Sequence, residues 1–296
     1  MTREEGTSWM VPGALFFGMI NFGFAPILVR LVDDADPFAL AVVRTVSAAL
    51  VVIAVWMMSD KSLRHRYSRR ENWLALGAGI SLGLHFICWI AAIMLTSVAS
   101  ASVLVTIHPV ILILIEAFFF KRSFAVLVWT GVFMAFSGSV ILGISDALAQ
   151  TEFEHALRGD LLALLAAFLF VVYFLLSQEL RRQSDWLGYI SRVYGITAVT
   201  CIIVAIAVQA DFAMGYTALA AGVALGVGPQ VAGHGALNYA VKFISPAILA
   251  TLILVEPVLG SFLAWGLFNE VPPPLSLLAI VVILCGVLMA WTKRKE

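Results

Sequence analysis

The sequence predicts an all-α integral membrane protein whose ten transmembrane helices form two inverted five-helix repeats around a central cavity. Three observations lead to this prediction. The 296-residue chain is 62% hydrophobic and only 12% charged. Its apolar residues form ten runs of membrane-spanning length, and the pattern of its first half recurs 148 residues later.

The composition places the chain in a membrane. With a mean hydropathy of +1.01, it has too little polar surface to cover a soluble core of this size. Cys88, Cys201 and Cys285 lie singly inside apolar runs, which indicates neither a disulfide framework nor a metal site. No convincing cleavage site follows the first apolar run, which we interpret as a retained signal-anchor.

Ten apolar runs are long enough to cross a bilayer, which takes roughly 20 helical residues. Only short loops separate them, so the sequence leaves no segment for a soluble domain. The predicted spans are 10–31, 36–58, 72–93, 97–118, 124–144, 159–178, 188–208, 216–239, 243–268 and 273–291.

The distribution of charge predicts the orientation. Lys and Arg concentrate in cytoplasmic loops of membrane proteins. With a cytoplasmic N-terminus, fourteen of the eighteen basic residues fall on the cytoplasmic side, and the opposite loops are acidic. We therefore predict a multi-pass protein with both termini in the cytoplasm. The cytoplasmic basic residues are Arg3, Lys61, Arg64, Arg66, Arg69, Arg70, Lys121, Arg122, Arg181, Arg182, Lys242, Lys293, Arg294 and Lys295.

The two halves of the chain repeat one pattern and predict two domains, residues 10–148 and 156–292. Each holds five spans, an odd number, so the second enters the membrane from the opposite side. Inverted repeats of this kind are typical of secondary transporters, whose substrate site lies near the membrane midplane. The matching positions are Arg44 with Arg192, His108-Pro109 with Glu256-Pro257 and Gly138 with Gly286 at an offset of 148, and Gly79 and Gly83 with Gly222 and Gly226 at an offset of 143.

These features resemble those of a known transporter family. The five-plus-five spans, a proline in the middle of the fourth span of each half, and Glu256-Pro257 followed by Phe268-Asn269-Glu270 resemble the drug/metabolite transporter superfamily, EamA type. Arg44 and Arg192, early in the second span of each half, also fit that pattern. Within the superfamily, the chain is most similar to the YddG-type exporters of aromatic amino acids. The resemblance implies export from the cytoplasm across a bacterial inner membrane, with no bound cofactor.

The two halves differ at their midplane prolines. His108-Pro109 stands in the first half where Glu256-Pro257 stands in the second. A carboxylate in mid-membrane is costly and usually functional. Glu256 is a candidate proton site, a candidate partner for a substrate ammonium group, or a structural acceptor for the backbone around Pro257. His108 is a candidate packing or hydrogen-bonding residue, or a group that switches near neutral pH.

Two stripes of polar residues predict the substrate site. Gln230, His234 and Asn238 share one face of the eighth span, and His85 and Trp89 share one face of the third. Such stripes face a cavity or protein rather than lipid, and helix packing is the alternative interpretation. The eighth span is also the best candidate for a broken helix, because of Gly226, Gly228, Pro229, Gly233 and Gly235.

Further candidates lie in the first, sixth, second and seventh spans. Asn21 with Phe22, and Phe170 with Tyr173, could flank a planar side chain, although core packing would also explain the aromatic residues. Arg44 and Arg192 are predicted to be gating or structural residues. Each could reach its membrane interface or pair with an acid such as Glu116 or Glu270.

The function that the sequence favours is export of a neutral or aromatic amino acid by alternating access. Export of organic cations or drugs, with Glu256 as the counter-charge, is the alternative. The chain carries no motif of a metalloprotease, a serine hydrolase or a phosphate-binding loop, so an intramembrane enzyme is disfavoured. The predicted partners are a small-molecule substrate and the lipid bilayer. No nucleic-acid-binding feature occurs, and the oligomeric state is open.

Overall fold

In the computed structural model, the residues described are 10–32, 35–60, 65–96, 98–147, 156–268, 271–272 and 274–292. All regular structure within these ranges is helical, as the sequence predicted. The helices are α1 (Met10–Arg30), α2 (Pro37–Met58), α3 (Arg69–Leu95), α4 (Val98–Val105 and His108–Phe118), α5 (Val126–Ala147), α6 (Ala156–Arg181), α7 (Trp186–Ala207), α8 (Tyr216–Leu225, Gly226–His234 and Gly235–Ala240), α9 (Pro246–Ile253 and Glu256–Phe268) and α10 (Pro274–Thr292).

These ten helices correspond one to one with the ten predicted spans. In the described ranges, seven helices are long and apolar enough to cross a membrane, namely α1, α2, α3, α6, α7, α9 and α10. Shorter apolar stretches, 103–118 and 126–142, belong to α4 and α5. The segments of α8 form the remaining span. We call the end of the bundle that carries the α6–α7 turn the inner end and the opposite end the outer end, after the predicted orientation.

Side-chain caps fix where several helices begin. Asp36 accepts hydrogen bonds from the backbone of Phe38 and Ala39 at the start of α2, and Asp185 accepts one from Gly188 N at the start of α7. Ser68 and Glu71 form a capping box on α3. Such caps satisfy backbone donors that a helix start leaves without intrahelical partners.

The midplane prolines interrupt α4 and α9 at equivalent places. α4 stops at Val105 and resumes at His108, and α9 stops at Ile253 and resumes at Glu256. A proline lacks the amide hydrogen of a helix interior and clashes with the preceding turn. The backbone therefore breaks directly before His108-Pro109 and before Glu256-Pro257, as their mid-span prolines suggested.

The prediction that α8 is a broken helix is wrong, because its backbone stays helical from Tyr216 to Ala240. Residues Gly226–His234 form a π-helix that contains Pro229. The wider winding of a π-helix accommodates the proline and the surrounding glycines without opening the chain. Long π segments are rare and often occur at functional sites.

The packing of the helices repeats between the two halves. α3 packs on α6 and α7, while α8 packs correspondingly on α1 and α2. α2 packs on α7, and α5 on α10. A Cβ on Gly131 would lie 2.6 Å from Gly286 O, and one on Gly286 would lie 2.7 Å from Gly131 O. α5 and α10 therefore approach each other through reciprocal glycines, as small residues permit in membranes.

The helix starts correct the register of the repeat. The caps Asp36 and Asp185 are 149 residues apart rather than 148. In α3 and α8 the starts differ by 147 residues rather than 143. Gly79 lies against Ile196 of α7, and Gly226 lies against Ser47 of α2. The structure thus pairs Gly79 with Gly226, and not with Gly222.

Candidate functional site: a central cavity between the repeats

A small cavity of about 30 Å³ lies in the middle of the bundle, between helices of both repeats. Its lining comes from seven helices, and all of it except Glu256 is buried. Small-molecule sites typically measure about 300–1,000 Å³, so the cavity has room for water but not for a metabolite in this conformation. The lining residues are Phe22, Ala25, Arg44, His85, Phe86, Trp89, Val105, His108, Phe170, His234, Ile253 and Glu256.

The cavity brings together most of the residues that the sequence nominated. Five of the nine predicted substrate-site residues lie in its wall, together with two of the four predicted midplane residues and with Arg44. The interrupted helices α4 and α9 place His108 and Glu256 there, since each begins the second segment of its helix. The seven predicted residues are Phe22, His85, Trp89, Phe170, His234, His108 and Glu256.

Aromatic and imidazole rings form the wall. The Phe170 ring lies 4.5 Å from the His108 ring and 5.4 Å from the His85 ring, centroid to centroid. The His234 ring lies 4.9 Å from that of Phe22 and 5.0 Å from that of Phe86. These separations fall in the range of favourable tilted ring contacts. Sequence reasoning missed Phe86, which is next to the predicted His85 and presented no polar signal of its own.

Two histidines hold fixed orientations. Nδ1 of His85 is 2.8 Å from Ala166 O, and Nδ1 of His108 is 2.7 Å from Val105 O. A carbonyl oxygen only accepts, so Nδ1 carries the hydrogen and donates in both cases. In a neutral imidazole, Nε2 is then an acceptor. Nε2 of His108 is buried and has no hydrogen-bond partner.

Several polar atoms around the cavity lack partners within the described part of the chain. They include Nε and Nη1 of Arg44, Nε2 of His108 and Nδ1 of His234, all in the lining. A buried polar atom without a partner costs about 1–3 kcal/mol, and more when it is charged. Their concentration at one cavity indicates a site that water or a ligand completes.

Arg44 is the cation of the cavity. Its side chain is 2% exposed, and its guanidinium carbon lies 3.7 Å from the Phe86 ring centroid and 5.4 Å from that of Trp89. The contact is of the cation–π type. The sequence suggested a gating or structural role, with the side chain reaching the membrane interface or pairing with an acid. Arg44 instead lines the same cavity as Glu256, and within the described residues it forms no ion pair with that acid.

Arg192, predicted as the counterpart of Arg44, lies elsewhere. It is exposed, donates to Asn72 Oδ1 at 3.2 Å and stacks over Tyr67 at 4.0 Å. Burial raises the pKa of Tyr67 to about 12, so that ring stays a neutral phenol beneath the cation. Arg44 is eight residues after its helix cap and Arg192 seven. One residue turns an α-helix by about 100°, which separates their faces.

Glu116, one of the two acids proposed as a partner for these arginines, pairs with another arginine instead. Glu116 is fully buried and bonds to Arg122 at 2.8 Å. Its other oxygen accepts from Ala247 N at 3.0 Å. Glu270 lies outside the described residues, as does Asn269.

Two predicted substrate-site residues, Tyr173 and Asn238, lie toward the inner end instead. The hydroxyls of Tyr173 and Tyr189 donate to Asn238 Oδ1 at 2.8 and 3.1 Å. Tyr189 also donates to Ser177 at 2.6 Å, and Nε of Arg181 donates to Asn238 O at 3.0 Å. We call Tyr173, Ser177, Tyr189 and Asn238 the inner network. Their side chains form hydrogen bonds within this group and are not part of the cavity lining.

The remaining predicted residues lie outside the cavity lining. Nδ2 of Asn21 donates to Phe17 O of its own helix at 2.9 Å, so its amide is engaged locally. Gln230 is fully buried, and neither atom of its side-chain amide has a partner within the described residues. Its backbone carbonyl accepts from the Tyr194 hydroxyl at 2.8 Å. Pro109 is buried and Pro257 partly exposed, each one residue beyond a lining residue.

No cofactor site is evident from the chemistry of the lining. Across the described ranges, no three His, Cys, Asp or Glu side chains gather as a metal site would require. The chemistry of the cavity is that of recognition by aromatic faces, one guanidinium and one carboxylate.

Comparison with known proteins identifies a transporter family. The model of the EamA-like transporter family matches residues 9–144 and again residues 157–292. Similar curated proteins are two uncharacterized transporters of Bacillus subtilis (strain 168). YdfC is 26% identical over 198 residues, which are 67% of this chain and 63% of YdfC. YxxF is 22% identical over 97% of this chain and 89% of its own.

An archaeal protein and a solved structure are also similar. An uncharacterized transporter of Archaeoglobus fulgidus is 23% identical over 89% of this chain and 90% of its own length. One crystal structure superposes with a TM-score of 0.79 and 20% identity, over 95% of this chain and 96% of that chain. At 20% identity, the superposition shows a shared fold and nothing about function.

Proposed function

Because this chain belongs to the EamA-like transporter family, we propose that it exports neutral or aromatic amino acids by alternating access. The two family matches favour two repeats, residues 10–148 and 156–292, that move against each other around the cavity. Bacterial relatives of the same family favour the bacterial inner membrane as its location. The basic loops favour cytoplasmic termini.

The observation that carries the proposal is the lining of the central cavity. One cation, Arg44, and one acid, Glu256, lie among aromatic rings. A site with one charge of each sign suits a zwitterion, and the rings suit a large apolar or planar side chain. An organic cation bound next to Glu256 would also lie close to the positive charge of Arg44. This repulsion argues against the alternative, in which Glu256 alone binds a cationic substrate.

The size of the cavity supports alternating access. At about 30 Å³ it is far below the typical size of a small-molecule site, so a substrate requires the repeats to separate on one side. The breaks in α4 and α9 and the π segment of α8 all flank the cavity. They provide places where the backbone can change while the rest of each helix stays rigid.

Counterflow into liposomes tests the proposal. Purified protein is reconstituted, the vesicles are loaded with unlabelled L-phenylalanine, and uptake of labelled L-phenylalanine is measured with and without a pH gradient. We expect saturable uptake, and excretion of the same amino acid from cells that overproduce the protein. Counterflow of an organic cation such as tetraphenylphosphonium, with none of phenylalanine or leucine, would contradict the proposal.

A matched pair of tryptophan variants localises the site. Trp89 lines the cavity, whereas Trp73 is 63% exposed on the surface of the same helix. Trp89→Ala should raise the KM for L-phenylalanine about tenfold, the effect of losing roughly 1.5 kcal/mol of ring contact. Trp73→Ala should leave the KM unchanged. Equal effects of the two changes would place the substrate elsewhere.

A further inference from the structure

Arg44 is a buried cation that forms no direct ion pair within the described residues, although it shares a cavity with Glu256. It is 2% exposed, and neither Nε nor Nη1 has a hydrogen-bond partner. Glu256 lines the same cavity without forming an ion pair to it. A buried charge is costly unless it is paired and hydrogen-bonded. The free donors of Arg44 therefore call for an anionic group from outside the chain.

The surroundings hold the guanidinium in place and leave those donors available. Its carbon lies 3.7 Å from the Phe86 ring centroid, a cation–π contact that occupies neither Nε nor Nη1. The backbone at Arg44 packs closely on α8, because a Cβ at Gly226 would collide with Arg44 O and Ser47 Oγ. A guanidinium carries a planar fork of N–H donors that matches a carboxylate, and Nε and Nη1 of Arg44 have no partner within the described residues.

Two of the three histidines of the cavity, His85 and His108, do not offer the same recognition. His85 and His108 already use Nδ1–H to donate to carbonyl oxygens, so Nε2 of each neutral ring accepts hydrogen bonds. Acceptors suit an ammonium group and repel a carboxylate. Arg44 is the one permanently charged donor among the lining residues.

We propose that Arg44 binds the carboxylate of the transported amino acid and thereby selects amino acids over amines of the same side chain. This proposal rests on the proposed function and assigns one end of the substrate. The ammonium group then faces Glu256 and Nε2 of His108. The second repeat has no equivalent cation in the cavity, because Arg192 is exposed at the bundle surface.

Substrate analogues test the assignment on the unmodified protein. Inhibition of L-phenylalanine counterflow is measured with 3-phenylpropionate, which keeps the carboxylate, and with phenethylamine, which keeps only the amine. We expect 3-phenylpropionate to compete at least tenfold better than phenethylamine. Phenethylamine that competes as well as phenylalanine itself would overturn the assignment without depending on any variant.

Arginine variants provide the second arm. Arg44→Gln should weaken phenylalanine binding about 10- to 100-fold, the usual effect of losing a charge-assisted pair of hydrogen bonds, and should relax the discrimination against phenethylamine. Arg44→Lys keeps the charge without the fork, so it should weaken binding less and still exclude phenethylamine. Arg192→Gln is the matched control and should behave as the unmodified protein. Thermal unfolding in detergent verifies that each variant is folded.

The outcomes separate this proposal from the proposed function. Phenylalanine counterflow by the unmodified protein, with an unchanged KM in folded Arg44→Gln, overturns the role of Arg44 and leaves amino acid export standing. Absence of phenylalanine and leucine counterflow in the unmodified protein overturns both. Similar losses in Arg44→Gln and Arg192→Gln would mean a general structural effect and would also overturn the role of Arg44.

Discussion

The inner and outer ends of the bundle are built from equivalent helices but are held together differently. At the inner end, Tyr173 of α6 and Tyr189 of α7 both donate to Asn238 of α8. At the outer end, the corresponding positions of α1, α2 and α3, aligned by their helix starts, are occupied by Ile27, Leu40 and Ala91. At these positions the inner end is closed by directional hydrogen bonds and the outer end by apolar contact.

A second polar contact reinforces the inner end and crosses between the repeats. Glu116 at the end of α4 bonds to Arg122 and to the backbone of Ala247, which begins α9. Arg122 also reaches Gln178 of α6 at 3.4 Å. The inner end therefore joins α4 of the first repeat to α6 and α9 of the second.

The difference teaches which side of an alternating-access cycle needs more energy to open. Buried hydrogen bonds are lost in full when their partners separate, whereas apolar surfaces in a membrane exchange one apolar neighbour for another. We expect the inner end to be the firmer closure. In the proposed export from the cytoplasm, binding of the substrate would supply the energy that opens it.

The largest expected effect comes from Glu116. Glu116→Leu leaves Ala247 N without its acceptor and Arg122 without its acid, and it should lower the stability by about 3 kcal/mol. That value is at the low end for buried pairs, because the Arg122 side chain is 31% exposed. The midpoint of thermal unfolding in detergent measures the effect.

Glu179 is the control for that change. It lies at the same end and pairs with Arg70 and Arg182, but its side chain and theirs are substantially exposed. Glu179→Leu should cost less than about 1 kcal/mol. If the two leucine variants unfold at the same temperature, the cross-repeat contact of Glu116 does not strengthen the inner end.

Asn238 should have the next largest effect. Asn238→Leu removes the shared acceptor, so the Tyr173 hydroxyl is left buried without a partner, at a cost of about 2 kcal/mol. Hydrogen–deuterium exchange should accelerate in the inner halves of α6, α7 and α8 and stay unchanged in α1 and α2. Uniform acceleration along the whole chain would show general destabilisation and not an opened inner end.

Tyr189→Phe should have a smaller effect of about 1 kcal/mol, because it deletes one hydroxyl and preserves the ring. The hydroxyl donates to Ser177 at 2.6 Å and to Asn238 at 3.1 Å. Combined with Asn238→Leu, it should cost less than the sum of the single changes, since both remove the same bond. Additive unfolding free energies would mean that the inner network does not act as a unit.

The smallest effect is expected at the outer end. Thr96 Oγ1 donates to Asp160 Oδ1 at 2.9 Å, between the end of α3 and the start of α6. Thr96→Val keeps the shape and removes the bond, and because Asp160 is partly exposed the loss should be about 0.5 kcal/mol. A loss as large as that of Asn238→Leu would remove the contrast between the two ends.

The sequence anticipated the spans and much of the cavity for identifiable reasons. Apolar runs of membrane length and loop charges are strong signals because the bilayer imposes them on every helix. His108, Glu256 and His234 stood out because a polar group in mid-membrane needs a reason to be there. The breaks before Pro109 and Pro257 followed from the chemistry of proline.

The remaining site residues depended on register, which single offsets do not fix. The offset of 148 pairs Arg44 with Arg192, but Arg44 lies eight residues after its helix cap and Arg192 only seven. That one-residue difference decides which arginine faces the cavity and which faces the surface. Asn238 continued the stripe of His234 along α8, but the π segment ends at His234, and Asn238 bonds to two tyrosines instead. Phe86 had no polar group that would distinguish it from an ordinary core residue.

The π-helical segment Gly226–His234 holds more residues per turn than the α-helical parts of α8. A π turn takes up about one residue more than an α turn, because its bonds run from i to i+5 and not to i+4. If one such turn rewound as α-helix, the residues beyond it would rotate by about 100° and advance by about 1.5 Å. His234 and Asn238 would then turn together, while the preceding segment Tyr216–Leu225 stays packed on α1 and α2.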